Sequence, residues 1–216
     1  MRITVFGAAG NVGSRVVAEA LSRGHHVTAV VRDAARAAGR LPAGAELRIG
    51  DAGDARDVAD ASAGQDLVIG ATRPAPGSEG ELVAMARSLL AGTGKSGVRL
   101  LLVGGAGNLT VPGSEGRTAV ADDPAFVPPA WRPIALACTE QLAACRAAGA
   151  DADWTYLSPP ALLGPGVRTG TYRLGTDELL VDAAGTSAIS MEDLAVALLD
   201  EAERPRHRGE RFTVAY

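Results

Sequence analysis

Apolar and polar positions along the chain alternate between two rhythms, one with period two and one with period near 3.6. Arg2–Phe6 (RITVF) is a short β-rich run that stops at Gly7. From Asn11 the apolar residues Val12, Val16, Val17, Ala20 and Leu21 recur three or four apart. That spacing predicts a helix, with Gly24 placed to follow its end. His26–Val31 (HVTAVV) is apolar enough for a strand buried on both faces. Residues 47–50 predict a weaker third strand, 54–61 a short helix, and DLVIGAT a fourth strand. A helix over 79–96, a strong fifth strand over 98–105, a helix over 133–148 and a sixth strand over 153–158 continue the alternation. TYRLG and ELLVD predict two short further strands. Ser190, with Asp193 three residues on, opens a last helix, and RFTVAY predicts a terminal strand.

Strands that alternate with helices predict an α/β fold, a doubly wound parallel sheet of the Rossmann type with right-handed crossovers. Neither an internal repeat nor a linker interrupts it, so residues 1–216 read as one domain. A small substrate-side excursion is expected around 108–131 and 164–183. The first of these is long and irregular, and loops of that length inside compact domains are usually binding loops or lids.

Composition narrows the partners. The 216 residues are 47% hydrophobic and 21% charged, an ordinary globular balance. Twenty-seven glycines and 12 prolines stay below the roughly 25–30% share that marks disordered chains. The formal charge of −4 lacks the basic excess usual in a nucleic-acid binder, so nucleic acid is not expected as a partner. No apolar run approaches the roughly 18–20 residues of a membrane span, and the N-terminal run is broken by glycines before it resembles a signal peptide. The chain therefore reads as cytoplasmic, a monomer or homodimer acting on a small molecule. Cys138 and Cys145 stand seven apart on one helical face with Leu142. That is about 10.5 Å of helix, beyond the ~7 Å reach of a disulfide, so both read as small core residues. His25, His26 and His207 have no ligand-spaced partners, so no metal site is expected.

The chemistry concentrates at Gly7-Ala8-Ala9-Gly10-Asn11-Val12-Gly13, a GxxGxxG between the first strand and the first helix. In a dinucleotide site the first glycine turns the chain sharply, the second lets backbone approach a pyrophosphate, and the third packs helix on sheet. The helix N-terminus then offers free N–H groups to the phosphates. The end of the second strand reports which dinucleotide is bound. Asp33 there would hold ribose hydroxyls and favour NAD(H); Arg32 would meet a 2′-phosphate and favour NADP(H). Arg32 with Arg36 one turn on tips the reading to NADP(H), with NAD(H) the alternative.

GAAGNVG, VVRDAAR, VGGAGNL and DWTYLSPPALLGPG together resemble the atypical short-chain dehydrogenase/reductase superfamily. More narrowly, they resemble its small NAD(P)H-binding members related to the NmrA-like and biliverdin reductase B (flavin reductase) proteins. The resemblance spans nearly the whole chain. It implies that Gly7, Ala9, Gly10, Asn11 and Val12 hold the phosphates and that Arg32 meets the 2′-phosphate. Asp51 would lie beside the adenine, and Ala71 and Thr72 along the ribose and pyrophosphate path. Gly104 and Gly105 would flank the nicotinamide, and Ser158, Pro159 and Pro160 would close over it.

One part of the superfamily pattern is missing. Its better-known members use a Tyr-x-x-x-Lys pair with a Ser, the Lys lowering the pKa of the Tyr acid. Four residues beyond Tyr156 and Tyr172 stand Pro160 and Thr176, Tyr216 ends the sequence, and the sole lysine is Lys95. No catalytic residue is therefore assigned. One expectation is an NADPH-dependent oxidoreductase whose planar acceptor (flavin, quinone or conjugated carbonyl) needs orientation more than acid catalysis. The other is a non-catalytic NAD(P)-binding redox sensor of the NmrA-like kind. Lesser candidates are Phe126 and Trp131 for stacking, Arg168 and Tyr172 for substrate contact, and Asn108 as a donor near the nicotinamide. The PRHRGER segment reads as solvated surface.

Overall fold

Ile3 and Val5 point to one face of the first strand and Thr4 and Phe6 to the other, and this alternation divides the core into two layers. The computed structural model describes residues 1–149 and 152–216; the side chain of Arg36 also lies outside the described residues. In chain order the elements are β1 (Arg2–Phe6), α1 (Asn11–Ser22), β2 (His26–Val31), α2 (Ala34–Ala37), β3 (Glu46–Ile49), α3 (Ala55–Ser62), β4 (Leu67–Gly70) and α4 (Glu81–Ser96). They continue with β5 (Arg99–Val103), α5 (Arg132–Ala148), β6 (Trp154–Ser158), β7 (Leu162–Gly164), β8 (Arg173–Gly175), β9 (Ala188–Ser190), α6 (Met191–Glu203) and β10 (Glu210–Ala215).

Eight strands form one sheet in the order β3-β2-β1-β4-β5-β6-β10-β8, and every neighbouring pair is parallel except β10 with β8. Helices α1 and α6 pack together on one face, where Val16, Val17, Leu194 and Leu198 cover Ile3, Val5 and Leu101. Helices α3, α4 and α5 cover the other face, with Val58, Leu89 and Leu142 against Phe6, Val68, Leu100 and Leu102. The protein is thus a Rossmann-like α/β domain. From β1 the chain winds outward to β2 and β3, then returns to β4 on the other side. Such a reversal opens a crevice beyond the carboxyl ends of the strands.

The predicted alternation matches the sheet, with differences at its margins. ELLVD forms no strand; Glu178 makes only a parallel bridge to Thr110, which ties the two excursions to each other. The short pair β7 and β9 has no periodic signal of its own, being three residues each. Ser190 does cap α6 by accepting the Asp193 N–H at 2.9 Å, but the Asp193 carboxylate does not reach back. It accepts instead from the N–H groups of Thr169 and Gly170 and from the hydroxyls of Thr169 and Tyr216. The long irregular stretch is a packed unit. Leu109, Val120 and Leu179 form a buried cluster beneath its 3-10 turns, and Arg211 donates to the Asn108 backbone and side chain.

Cys138 and Cys145 are buried free thiols, as their spacing predicts, and burial pushes both up to about 12. The PRHRGER segment is largely exposed, with His207 half-buried and Arg211 buried. Its His207 meets Glu201 at 2.8 Å and stacks on Phe212, and Arg208 and Arg211 pair with Asp153 and Asp177.

Candidate functional site

Three glycines shape the passage from β1 into α1, each for a steric reason. Gly7 has φ +76°, and a Cβ there would strike the Ala71 carbonyl oxygen just past β4. A Cβ on Gly13 would strike the Gly7 carbonyl, so this glycine sets how closely α1 lies on the turn. Gly10 donates its N–H to the Gly7 oxygen at 2.9 Å, and a Cβ on it would stand 3.1 Å from that oxygen. No side chain caps α1, and its first turn holds no acidic residue. The N–H groups of that turn and the helix dipole, roughly half a positive charge, are left to face whatever lies above them.

A cavity of about 1410 Å³ lies there. Its lining follows the strand order. Arg32 and Asp33 after β2 and Asp51 after β3 line one end, with Arg40 from the segment between them. Gly7, Ala9, Gly10, Asn11 and Val12 form the middle with Ala71 and Thr72 after β4. Gly104 and Gly105 after β5 and Pro159 and Pro160 after β6 come next. The far end is apolar, formed by Leu82 and Met85 of α4, Ile134 and Cys138 of α5, and Phe126 and Trp131 of the long loop.

The glycines after β5 have a packing reason as well. A Cβ on Gly104 would overlap the Tyr156 ring, and one on Gly105 would stand 2.7 Å from the Cys138 sulfur. Tyr156 is buried, with its hydroxyl 2.9 Å from the Cys138 carbonyl oxygen and 3.0 Å from Gln141 Oε1. Burial pushes its pKa well up.

All the predicted site residues except Ser158 line this one cavity. Ser158 is wholly buried behind it and donates to Asn108 Oδ1 at 2.8 Å. Asn108 turns away too: its oxygen also accepts from Arg211, and its amide nitrogen lies 3.4 Å from the Cys138 carbonyl oxygen. Arg168 and Tyr172 are drawn to the α1–α6 layer. Arg168 donates twice to Glu19 at 2.7 and 2.8 Å, and Tyr172 donates to Asp200 at 2.6 Å. Ser158, Asn108, Arg168 and Tyr172 do not line the cavity, because buried or half-buried partners compete for these side chains. Asp51 Oδ1 accepts the Gly53 N–H at 2.8 Å, a local turn that fixes the carboxylate at the cavity edge. Trp131 does not anchor its loop to the core; it is 53% exposed, with the Arg73 guanidinium 4.9 Å from its ring centre.

Sequence reading missed Arg40, Arg73 and Tyr216 as lining residues. Arg40 and Arg73 belong to loops without a periodic signal, and Tyr216 reaches the cavity only because β10 lies beside β6. Arg36, the second arginine of the cofactor reading, has its side chain outside the described residues.

The lining fits a dinucleotide. The glycine turn has no Cβ where a pyrophosphate would rest, and the uncapped helix faces it. Thr72 lines the same space, and its buried hydroxyl has no hydrogen-bond partner among the described residues. Among the described residues no three His, Cys, Asp or Glu side chains group to hold a metal ion. No helix among them is long and apolar enough to cross a membrane.

Comparison with known proteins agrees with this geometry. The uncharacterized protein YwnB of Bacillus subtilis is 39% identical over 220 residues, covering 99% of this chain and 98% of YwnB. A Burkholderia pseudomallei structure provisionally named as an exported protein is 40% identical, with TM-score 0.88 over the whole of both chains. A Streptococcus pneumoniae structure provisionally named an NADH-flavin reductase is 29% identical, with TM-score 0.88 over 100% of this chain and 99% of that one. The model of the NAD(P)H-binding family matches residues 7–205, nearly the full length. With a glycine turn, an uncapped helix and a crevice at the strand reversal to carry the match, the chain belongs to the NAD(P)H-binding family.

Proposed function

We propose that the protein is a cytoplasmic, NADPH-dependent reductase that delivers hydride to a planar acceptor. The carrying observation is the extent of the cavity. At about 1410 Å³ it exceeds the roughly 300–1,000 Å³ typical of a site for one ligand, and it continues past Gly105 into an apolar end. A dinucleotide laid from Arg32 to Gly105 leaves that end for a second molecule. A redox sensor needs no such space. The NADH-flavin reductase name of the Streptococcus relative supports the same class of acceptor.

In this reading the α1 N-terminus and glycine turn hold the pyrophosphate, and Thr72 gives its free hydroxyl to the bound cofactor. Arg32 and Arg40, both lining the cavity at the β2 end, favour a 2′-phosphate and hence NADP(H) over NAD(H). Asp51 lies beside the adenine; Pro159 and Pro160 close over the nicotinamide end. When bound, the nicotinamide supplies the hydride. The acceptor takes its proton from water, because Tyr156 is buried behind Gly104 with its hydroxyl engaged. Rate then depends on holding the two rings together.

NADPH consumption, followed by nicotinamide absorbance with FMN and a small quinone as acceptors, tests the proposal. Gly10→Asp protein, which sets bulk and negative charge against the pyrophosphate, serves as the blank. Turnover by the unaltered protein alone is expected. NADPH binding without turnover, and with different affinities for the oxidised and reduced cofactor, would support the sensor instead. Arg32→Ala should weaken NADPH more than NADH; equal loss for both would overturn the 2′-phosphate role.

A further inference from the structure

The far end of the cavity differs from the rest in charge as well as polarity. The acidic residues of the lining, Asp33 and Asp51, both belong to the β2–β3 end. Around Gly105 the lining is apolar: Cys138 lies beneath that glycine and clusters with Leu82, Met85 and Ile134. One charged side chain, Arg73, lines this end. Its guanidinium lies over Trp131 and is close enough to Cys138 to oppose the rise that burial imposes on the thiol. Among the described residues no carboxylate pairs with Arg73. Glu79, the carboxylate whose charge it feels, accepts the Gly77 N–H at 2.9 Å instead. Arg132, beside Trp131 in sequence, is paired with Asp122 at 2.8 Å.

An exposed aromatic ring and an unpaired cation at the mouth of an apolar slot are the two halves of a recognisable site. The exposed ring is available for stacking, and the cation beside it has no hydrogen-bonded carboxylate among the described residues. Resting on the reductase reading above, we infer that this end takes planar molecules that carry a negative charge. Trp131 supplies the stacking face, and Arg73 is the residue that selects anionic acceptors over neutral ones of the same shape. A neutral acceptor leaves Arg73 on Trp131; an anionic one gives it a charge-assisted partner as well.

FMN and riboflavin share one ring system and differ by a phosphate, so the pair isolates the charge. Binding is followed by flavin fluorescence with NADP+ saturating. The oxidised cofactor prevents turnover and keeps the FMN phosphate off the α1 N-terminus. FMN should bind about fivefold more tightly than riboflavin, the scale of an exposed ion pair, and the ratio should shrink with added salt. Arg73→Gln should bring the ratio to one, while Arg73→Lys retains part of it. Trp131→Ala should weaken both flavins alike, and Trp131→Phe should recover most of that loss. Equal affinities in the unaltered protein, or a preference that survives Arg73→Gln, would overturn the selector role. Flavin affinity unchanged in Trp131→Ala would overturn the stacking face. NADPH fluorescence titrations of every variant separate the two levels. Intact NADPH binding without flavin discrimination removes only this inference, whereas no NADPH binding by the unaltered protein removes the reductase reading beneath it.

Discussion

The ring of Tyr156 fills the space that a side chain on Gly104 would need, so the strand end that borders the cavity is shaped by a residue that never reaches it. The tyrosine is a wedge under the β5 terminus, and the proposed mechanism asks no proton of it. Tyr156→Phe should accordingly leave NADPH turnover within about twofold. Its cost falls on stability, about 1–3 kcal/mol, because its buried acceptors, the Cys138 carbonyl and Gln141, lose a donor. A thermal melt beside a steady-state assay checks both halves. A large loss of rate with an unchanged melt would make Tyr156 the missing acid.

Gly13 offers a second steric test. It lies buried in α1, and an added methyl would press on the Gly7 carbonyl, which is backbone and has nowhere to move. Gly13→Ala should therefore push α1 off the turn. Overpacking of this kind costs about 1–3 kcal/mol. It should also weaken NADPH by more than tenfold, since the N–H groups of the first turn leave their positions. A titration showing native affinity would mean the turn absorbs the strain elsewhere.

How far the sequence foretells this arrangement follows from what each signal encodes. The GxxGxxG at the end of an apolar run announces a steric requirement, and the structure meets it at Gly7, Gly10 and Gly13. Strand ends are legible because burial imposes period, so Arg32, Asp51, Ala71, Thr72, Gly104 and Pro159 fall on one cavity. Side-chain direction is not legible. Ser158 and Asn108 have suitable chemistry at suitable positions, yet Arg211, which arrives from the far end of the chain, draws Asn108 away from the cavity. Arg168 is likewise taken by Glu19, 149 residues earlier. Such long-range pairs leave no local pattern. Trp131 is legible as a stacking candidate, but Arg73 is not, since an unrelated loop brings it to that ring.

Buried carboxylates give the fold an acid limit. Arg168 and Arg23 hold Glu19 below the usual carboxylate range against the opposing effect of burial. Burial raises Glu201, but hydrogen bonds from His207, Arg206 and Arg99 outweigh it and leave the group lowered. A carboxylate with a depressed folded pKa stabilises fully above its unfolded value and loses that contribution as pH falls through the folded one. Melting temperature should thus be insensitive to these groups above about pH 5 and fall below it. Glu19→Gln should flatten the acid limb. Glu201→Gln strands the buried Arg99 without its carboxylate and should cost about 3–5 kcal/mol at neutral pH, a drop of about 10 °C or more. A Glu201→Gln melt within two or three degrees of the unaltered protein would contradict the pairing.

Thr72 separates binding from folding most cleanly. Its hydroxyl is buried at the end of β4 with no partner among the described residues, an arrangement that stabilises nothing in the free protein. Replacing it with valine keeps the shape and removes the orphan. Thr72→Val should therefore melt at or slightly above the unaltered temperature. If the hydroxyl is kept for the cofactor, the same change should weaken NADPH about fivefold, the worth of one hydrogen bond of about 1 kcal/mol. The two readouts move in opposite directions only if the residue belongs to the binding surface. A lowered melt with unchanged NADPH affinity would return Thr72 to the fold and place the cofactor's path elsewhere along the β4 edge.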